Sequence, residues 1–338
     1  LGGQQEQLKF LGNHQCSEGK AHLDRYEQLV DQGPQKYHQI ACREADLPPE
    51  QTALMATAAN MDLAARETIR WDQHEIDVIV TAGVQGNATR ATDPAKYEEK
   101  GGQWVKSAPL PGTINTLILF NHALQHHVLP QGIMMATEAK AAALQDLNVG
   151  SLASKRLATG TGTDQIIIAC PKANDLESPM QSVGSHTRMG ELLAKTVYRA
   201  TLKALEWQNG LIPSLSRGLQ HLFRRLDISE EELFQEFSNQ TYCPPDLLIK
   251  NKEAVFYDVH VSAIATALIS ILDRVEHGAL PQELAIEHIR RQGALIAVSL
   301  SGNDDIYPQI LNELSQSSTP GKILAQSIAL GWRAKWSS

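Results

Sequence analysis

Three short runs rich in β-branched residues, at 76–80, 114–120 and 165–170, are separated by helix-forming stretches, and no comparable run follows residue 208. This change of period along the chain predicts an α/β half, with a mixed sheet and flanking helices, followed by an all-helical C-terminal region. Residues 131–148 are rich in Ala, Met, Leu and Glu, contain one early Gly at 132 and no Pro, and end at Asn148-Val149-Gly150, which predicts a helix. A second helix is predicted over 185–207, where Met189, Leu193, Val197, Ala200, Ala204 and Trp207 recur at helical spacing before Asn209-Gly210. Pro213 marks the expected boundary between a domain at 1–208 and a helical domain at 213–338. In the latter, Ser229 with Glu232 forms a capping box, and helical periodicity runs through 254–276 and 282–300. The segment 92–110, with Lys, Glu, Gly and two prolines, reads either as a mobile loop beside the first strand pair or as a surface insertion without a role.

Composition narrows the function classes. The chain has 338 residues, 42% hydrophobic, with 38 acidic against 30 basic side chains and a net charge of -8. That balance argues against nucleic acid as a partner. No apolar run reaches the roughly 18 residues of a membrane span. Cys16, Cys42, Cys170 and Cys243 are widely spaced without a CxxC pair, which fits a soluble protein of a reducing cytoplasm. There is no HExxH, GxSxG or GxxxxGK[ST] motif and no metal-ligand spacing, so zinc peptidase, α/β-hydrolase and P-loop chemistry are not indicated.

Candidate site residues cluster in the first half. Thr159-Gly160-Thr161-Gly162-Thr163-Asp164 offers three hydroxyls and a carboxylate around two glycines that free the backbone for close approach to a polar ligand. The alternative is a turn feeding the strand at 165–170. On the helix at 131–148, Thr137 and Lys140 share a face, whereas Glu138 and Lys140 diverge and cannot serve one atom. Either Lys140 is an electrophile and Glu138 structural, or Glu138 is a general base and Lys140 solvated. His186, at a helix start, is a candidate general acid or a packed core histidine, and Glu191 reads as a solvated helix carboxylate. Asn87 and Arg90 follow a strand end, and Thr113 and Asn115 alternate at a strand start, as ligand donors or as turn and ladder-end groups. His122, His126 and His127 crowd the loop after the second strand, but the adjacent His126 and His127 diverge and no nearby carboxylate completes a metal site.

Taken together and in order, Thr81-Ala82-Gly83-Val84, Asn87-Ala88-Thr89-Arg90, Gly112-Thr113-Ile114-Asn115, Thr137 to Leu144, Ala158 to Asp164, and Ser185-His186-Thr187 with Gly190-Glu191-Leu192 resemble the adenosylcobinamide amidohydrolase (CbiZ) family over roughly residues 50–208. The resemblance implies hydrolysis of the amide joining the aminopropanol arm to the corrin ring, giving adenosylcobyric acid and aminopropanol in corrinoid salvage. It implies a corrinoid substrate and no cofactor, and leaves a homo-oligomer open. It also implies a strand before the start of this chain, with Leu1-Gly2-Gly3 as its remnant. Such a reaction needs an activated water, a donor for the oxyanion and an acid for the leaving amine. Glu138, Lys140, His186 and Asp164 are the catalytic candidates. Asn87, Arg90, Thr113, Asn115, Thr137, Thr159, Thr161 and Thr163 are the substrate-binding candidates, with no metal ligand. A corrinoid-binding module without catalysis, its helical region contacting a partner, and an amidohydrolase of complete cobamides are the competing expectations.

Overall fold

The computed structural model describes residue 6 and residues 8–16, 21–95, 98–100, 103–105, 112–173, 178–239 and 245–336. Leu1-Gly2-Gly3, read above as the end of a preceding strand, and Cys243 lie outside the described residues. The chain divides into two compact units, Leu1–Ile212 and Pro213–Ser338.

The first unit contains β1 (Phe10–Gln15), α1 (Ala21–Glu44), β2 (Thr52–Thr57), β3 (Ala65–Trp71), β4 (His74–Ala82), β5 (Ala88–Thr89), β6 (Glu98–Lys100), β7 (Gln103–Val105), β8 (Ile114–Phe120), α2 (Val128–Asp146), β9 (Gly160–Thr161), β10 (Gln165–Ala169) and α3 (Arg188–Asn209). Its main sheet has the order β10-β8-β4-β3, with β10 parallel to β8 and the other pairs antiparallel. The sheet is mixed because α2 provides the crossover that the parallel pair requires, while β3 and β4 are joined by a tight hairpin in which Asp72 takes φ 54°.

Alternation decides what each face does. Ile76, Val78 and Val80 of β4 and Ile114 and Ile118 of β8 are fully buried and form one core with Leu193, Val197 and Ala200 of α3 and Ala136 and Leu144 of α2. Each buried Ile or Val contributes about 1.5–3 kcal/mol relative to exposure. The other face carries polar pairs, including Asp77, which accepts hydrogen bonds from Arg66 and Thr68. The Arg66 guanidinium holds the Asp77 carboxyl below the usual carboxylate range.

Two expectations change. The segment 92–110 contains the short antiparallel pair β6–β7, whose strands flank Gly101-Gly102 in the sequence, the composition of a hairpin turn. The helix read over 254–276 is two helices, because Asp258 caps the second by accepting the Val261 N–H and so ends the first at Phe256.

The second unit is helical throughout its described residues: α4 (Pro213–Ser216), α5 (Phe223–Leu226), α6 (Glu230–Ser238), α7 (Pro245–Phe256), α8 (Val259–Glu276), α9 (Gln282–Ser301), α10 (Tyr307–Glu313) and α11 (Pro320–Trp336). Its core includes Phe237, Phe256, Leu268, Ile289, Ile323 and Trp332. The capping box of Ser229 and Glu232 starts α6. Helices α9 and α11 pack closely because Gly331 brings its backbone against Ala297, where a Cβ would stand 2.6 Å from the carbonyl oxygen. Among the described residues no single helix is long and apolar enough to cross a membrane.

Candidate active site

Strand direction determines which loops meet. Because β4 runs opposite to β8 and β10, the end of β4 shares one sheet edge with the beginnings of the other two. Thr81, Asn87, Thr113, Asn115 and Asp164 therefore gather at that edge. His122 follows the far end of β8 and packs edge-to-face on His74 at 4.8 Å. The chain segments that follow β4 and β8 therefore lie at opposite edges of the sheet. His122 Nε2 and His127 Nε2 each lie 3.1 Å from a backbone carbonyl, those of Ser178 and Gln181, and among the described residues no three His, Cys, Asp or Glu side chains are grouped to hold a metal.

At the shared edge Lys140 is 6% exposed and pairs with Asp164. A solvated Lys140 is thereby corrected: α2 turns this residue inward. Asp164 also accepts the Thr161 N–H at 3.0 Å, the Thr161 hydroxyl at 2.5 Å and the Ile114 N–H at 3.0 Å. Four donors saturate the carboxylate. Gly160 makes room for the pair, since a Cβ there would overlap the Asp164 carboxylate and stand 2.7 Å from Lys140 Nζ.

The remaining hydroxyls and amides here are also used internally. Thr159 Oγ1 accepts the Ala91 N–H, Thr163 donates to the Gly112 carbonyl and Thr113 donates to the Thr163 carbonyl. Asn87 donates to the Gly112 carbonyl, and Arg90 to that of Leu157. Beside Arg90, burial alone would raise the Asp93 carboxyl, but the Ser151 hydroxyl, the Arg90 N–H and the Thr89 hydroxyl lower it to about 2. Asn115 donates to Asn13 Oδ1 at 2.8 Å and to the Ala56 carbonyl at 2.9 Å, while Asn13 donates to Thr81 Oγ1 at 2.8 Å. Asn13 thus ties the β1–β2 pair to the main sheet. The sequence reading missed it, because a lone Asn in Phe10-Leu11-Gly12-Asn13-His14-Gln15 carries no spacing signal.

A second centre lies on the other side of α2. Gln131, Met134, Met135 and Glu138 face Ser182, Gly184, Ser185, His186 and Thr187 across a groove of about 330 Å³. Glu138 and Lys140 are about 200° apart around the helix, so the exposed carboxylate opens into the groove while the ammonium is buried. Thr137 is exposed and donates to the Ile133 carbonyl of its own helix, which keeps it from Lys140. His186 is exposed in the turn before α3, outside the core. Neither Glu138 nor His186 makes a hydrogen bond or ion pair among the described residues. Thr187 caps α3, accepting the Gly190 N–H and donating to the Gly184 carbonyl. Gly190 permits this approach, as a Cβ there would overlap the Gly184 backbone. The positive end of a 22-residue helix therefore points at the groove, favouring a developing negative charge. Glu191 is committed outside it, held below the usual carboxylate range by Lys195 and Arg188.

A family model described as adenosylcobinamide amidohydrolase (CbiZ) matches residues 1–213. The chain belongs to the CbiZ family. The match spans the whole α/β unit of this CbiZ-family chain, including the saturated Lys140–Asp164 centre and the open groove, and ends where the helical unit begins. A protein of Methanocaldococcus jannaschii titled "Uncharacterized protein MJ1613" is 33% identical over 210 residues, covering 59% of this chain and 78% of the relative. No solved structure matches this CbiZ-family chain.

Proposed function

We propose that the chain hydrolyses the amide between the corrin ring and the aminopropanol arm of adenosylcobinamide, releasing adenosylcobyric acid and aminopropanol in corrinoid salvage. The observation that carries this reading is that Glu138 and His186 line one groove with no internal partners, in a chain of this family. Glu138 takes a proton from water as the water oxygen adds to the amide carbonyl carbon. His186, in its protonated form, gives a proton to the nitrogen as the C–N bond breaks, leaving a carboxylic acid and an amine. The proton on Glu138 then returns to His186 through solvent. Lys140, Asp164, Thr159, Thr161 and Thr163 hold the wall behind α2, since each already has a hydrogen-bond partner within the protein. The exposed Met134 beside the groove gives the methyl group of the aminopropanol arm a surface to rest on.

The test is incubation of the purified chain with adenosylcobinamide, with and without chelator, followed by mass spectrometry of adenosylcobyric acid and aminopropanol. Products that persist with chelator and vanish in Glu138→Gln support the reading. An intact corrinoid bound at one equivalent overturns it in favour of a binding module.

A further inference from the structure

We propose that Gln131 is a further catalytic residue, donating from Nε2 to the carbonyl oxygen of the scissile amide; this rests on the hydrolytic reading above. Its Oε1 accepts the Val183 N–H at 2.8 Å and the Ser182 hydroxyl at 3.0 Å. A backbone N–H can only donate, so the oxygen end of the amide is fixed on that side and the NH₂ faces away from it. That NH₂ makes no hydrogen bond among the described residues, and Gln131 lines the groove with Glu138 and His186.

Gly184 keeps the donor uncovered. A Cβ at this position would stand 2.8 Å from Gln131 Nε2 and 3.5 Å from its Cδ. Along α2, Gln131 precedes Glu138 by seven residues, which puts both on one helix face with an offset of about 20° and about 10 Å along the axis. A carbonyl group and an attacking water fit between two long side chains at that spacing, the carbonyl oxygen toward Gln131 and the water toward Glu138. A preorganised neutral donor at this point stabilises the oxyanion without reorganising as charge develops.

Gln131→Glu separates this role from a structural one, because a carboxylate still accepts from Val183 and Ser182 but has no proton to donate. Gly184→Ala covers the donor without adding charge. If Gln131 is the oxyanion donor, both variants lose about 100-fold or more in kcat with little change in KM and no change in Tm. Wild-type kcat in Gln131→Glu and Gly184→Ala, with Gln131→Met losing stability, overturns the inference and leaves the hydrolytic reading intact. If the wild-type chain releases no aminopropanol, that reading fails, and adenosylcobinamide binding followed by visible absorption decides the inference. About tenfold weaker binding in both variants upholds a donor to the substrate amide, while equal affinity, or no complex with the wild-type chain, overturns it.

Discussion

Lys140 Nζ and Asp164 Oδ2 form a buried ion pair in the space that a side chain on residue 160 would fill. The two ends of the pair are unequally supported. Asp164 keeps three further donors from Thr161 and Ile114 if the lysine is removed, whereas Lys140 has no other carboxylate partner among the described residues if the aspartate is removed. Asp164→Leu is therefore expected to destabilise by about 3–5 kcal/mol, the cost of leaving a buried charge unpaired, and Lys140→Met by clearly less. Urea unfolding of the two variants checks the order; a larger loss in Lys140→Met would mean that Asp164 depends chiefly on the ammonium. Gly160→Ala is expected to resemble Asp164→Leu, since its methyl group displaces the pair.

Glu138 and His186 stand in the opposite relation to stability. Both are exposed and unbonded to the protein, so Glu138→Gln and His186→Ala should leave Tm unchanged while lowering kcat about 10²–10⁴-fold. Paired melting and turnover measurements separate this from a structural effect. A fall in Tm that tracks the fall in kcat would show that the groove residues support the fold.

How much of this was legible in the sequence depends on the distance over which each feature is determined. Strands β4, β8 and β10 carry short runs rich in Ile, Val and Leu, buried in β4 and β8 and half-buried in β10, and they announce themselves. Strand β3, Ala65-Arg66-Glu67-Thr68-Ile69-Arg70-Trp71, does not, because its polar face spends Arg66 and Thr68 on Asp77. The divergence of Glu138 and Lys140 follows from helix geometry alone. The commitment of the Thr159, Thr161 and Thr163 hydroxyls does not, since it depends on backbone groups that the fold returns to the same edge, such as Ala91 and Gly112. Gln131 carries only its seven-residue spacing to Glu138, a weak signal until Val183 and Ser182 are seen to fix its amide.

Asn13 connects β1 to Thr81 of β4 and Asn115 of β8, so its effect should reach beyond its own strand. Asn13→Leu is expected to destabilise by about 1–3 kcal/mol through unmade buried hydrogen bonds and to raise amide exchange in β1 and β2 more than in β4 and β8. Mass-resolved hydrogen exchange of the two chains checks this. Uniform acceleration across the unit would mean that the β1–β2 pair is held by packing and not by this amide network.

In the helical unit, burial pushes the imidazole of His221 below its ordinary value of 6.5. Its immediate neighbour Leu222 is 2% exposed and Leu219 is fully buried, so the folded chain favours the neutral ring while the unfolded chain accepts a proton in water. Below about pH 6.5 the unfolded state then binds more protons than the folded one, and stability rises with pH. This contribution is present in full above that pH and is lost as the pH falls toward the depressed folded value, at no more than about 1.4 kcal/mol per pH unit. His221→Gln removes the proton-binding difference, so the fall in Tm between about pH 7 and 5 should be shallower in the variant than in the wild-type chain. Parallel slopes would mean that the ring takes up its proton equally well in the folded state, and that Leu219 and Leu222 do not keep water from it.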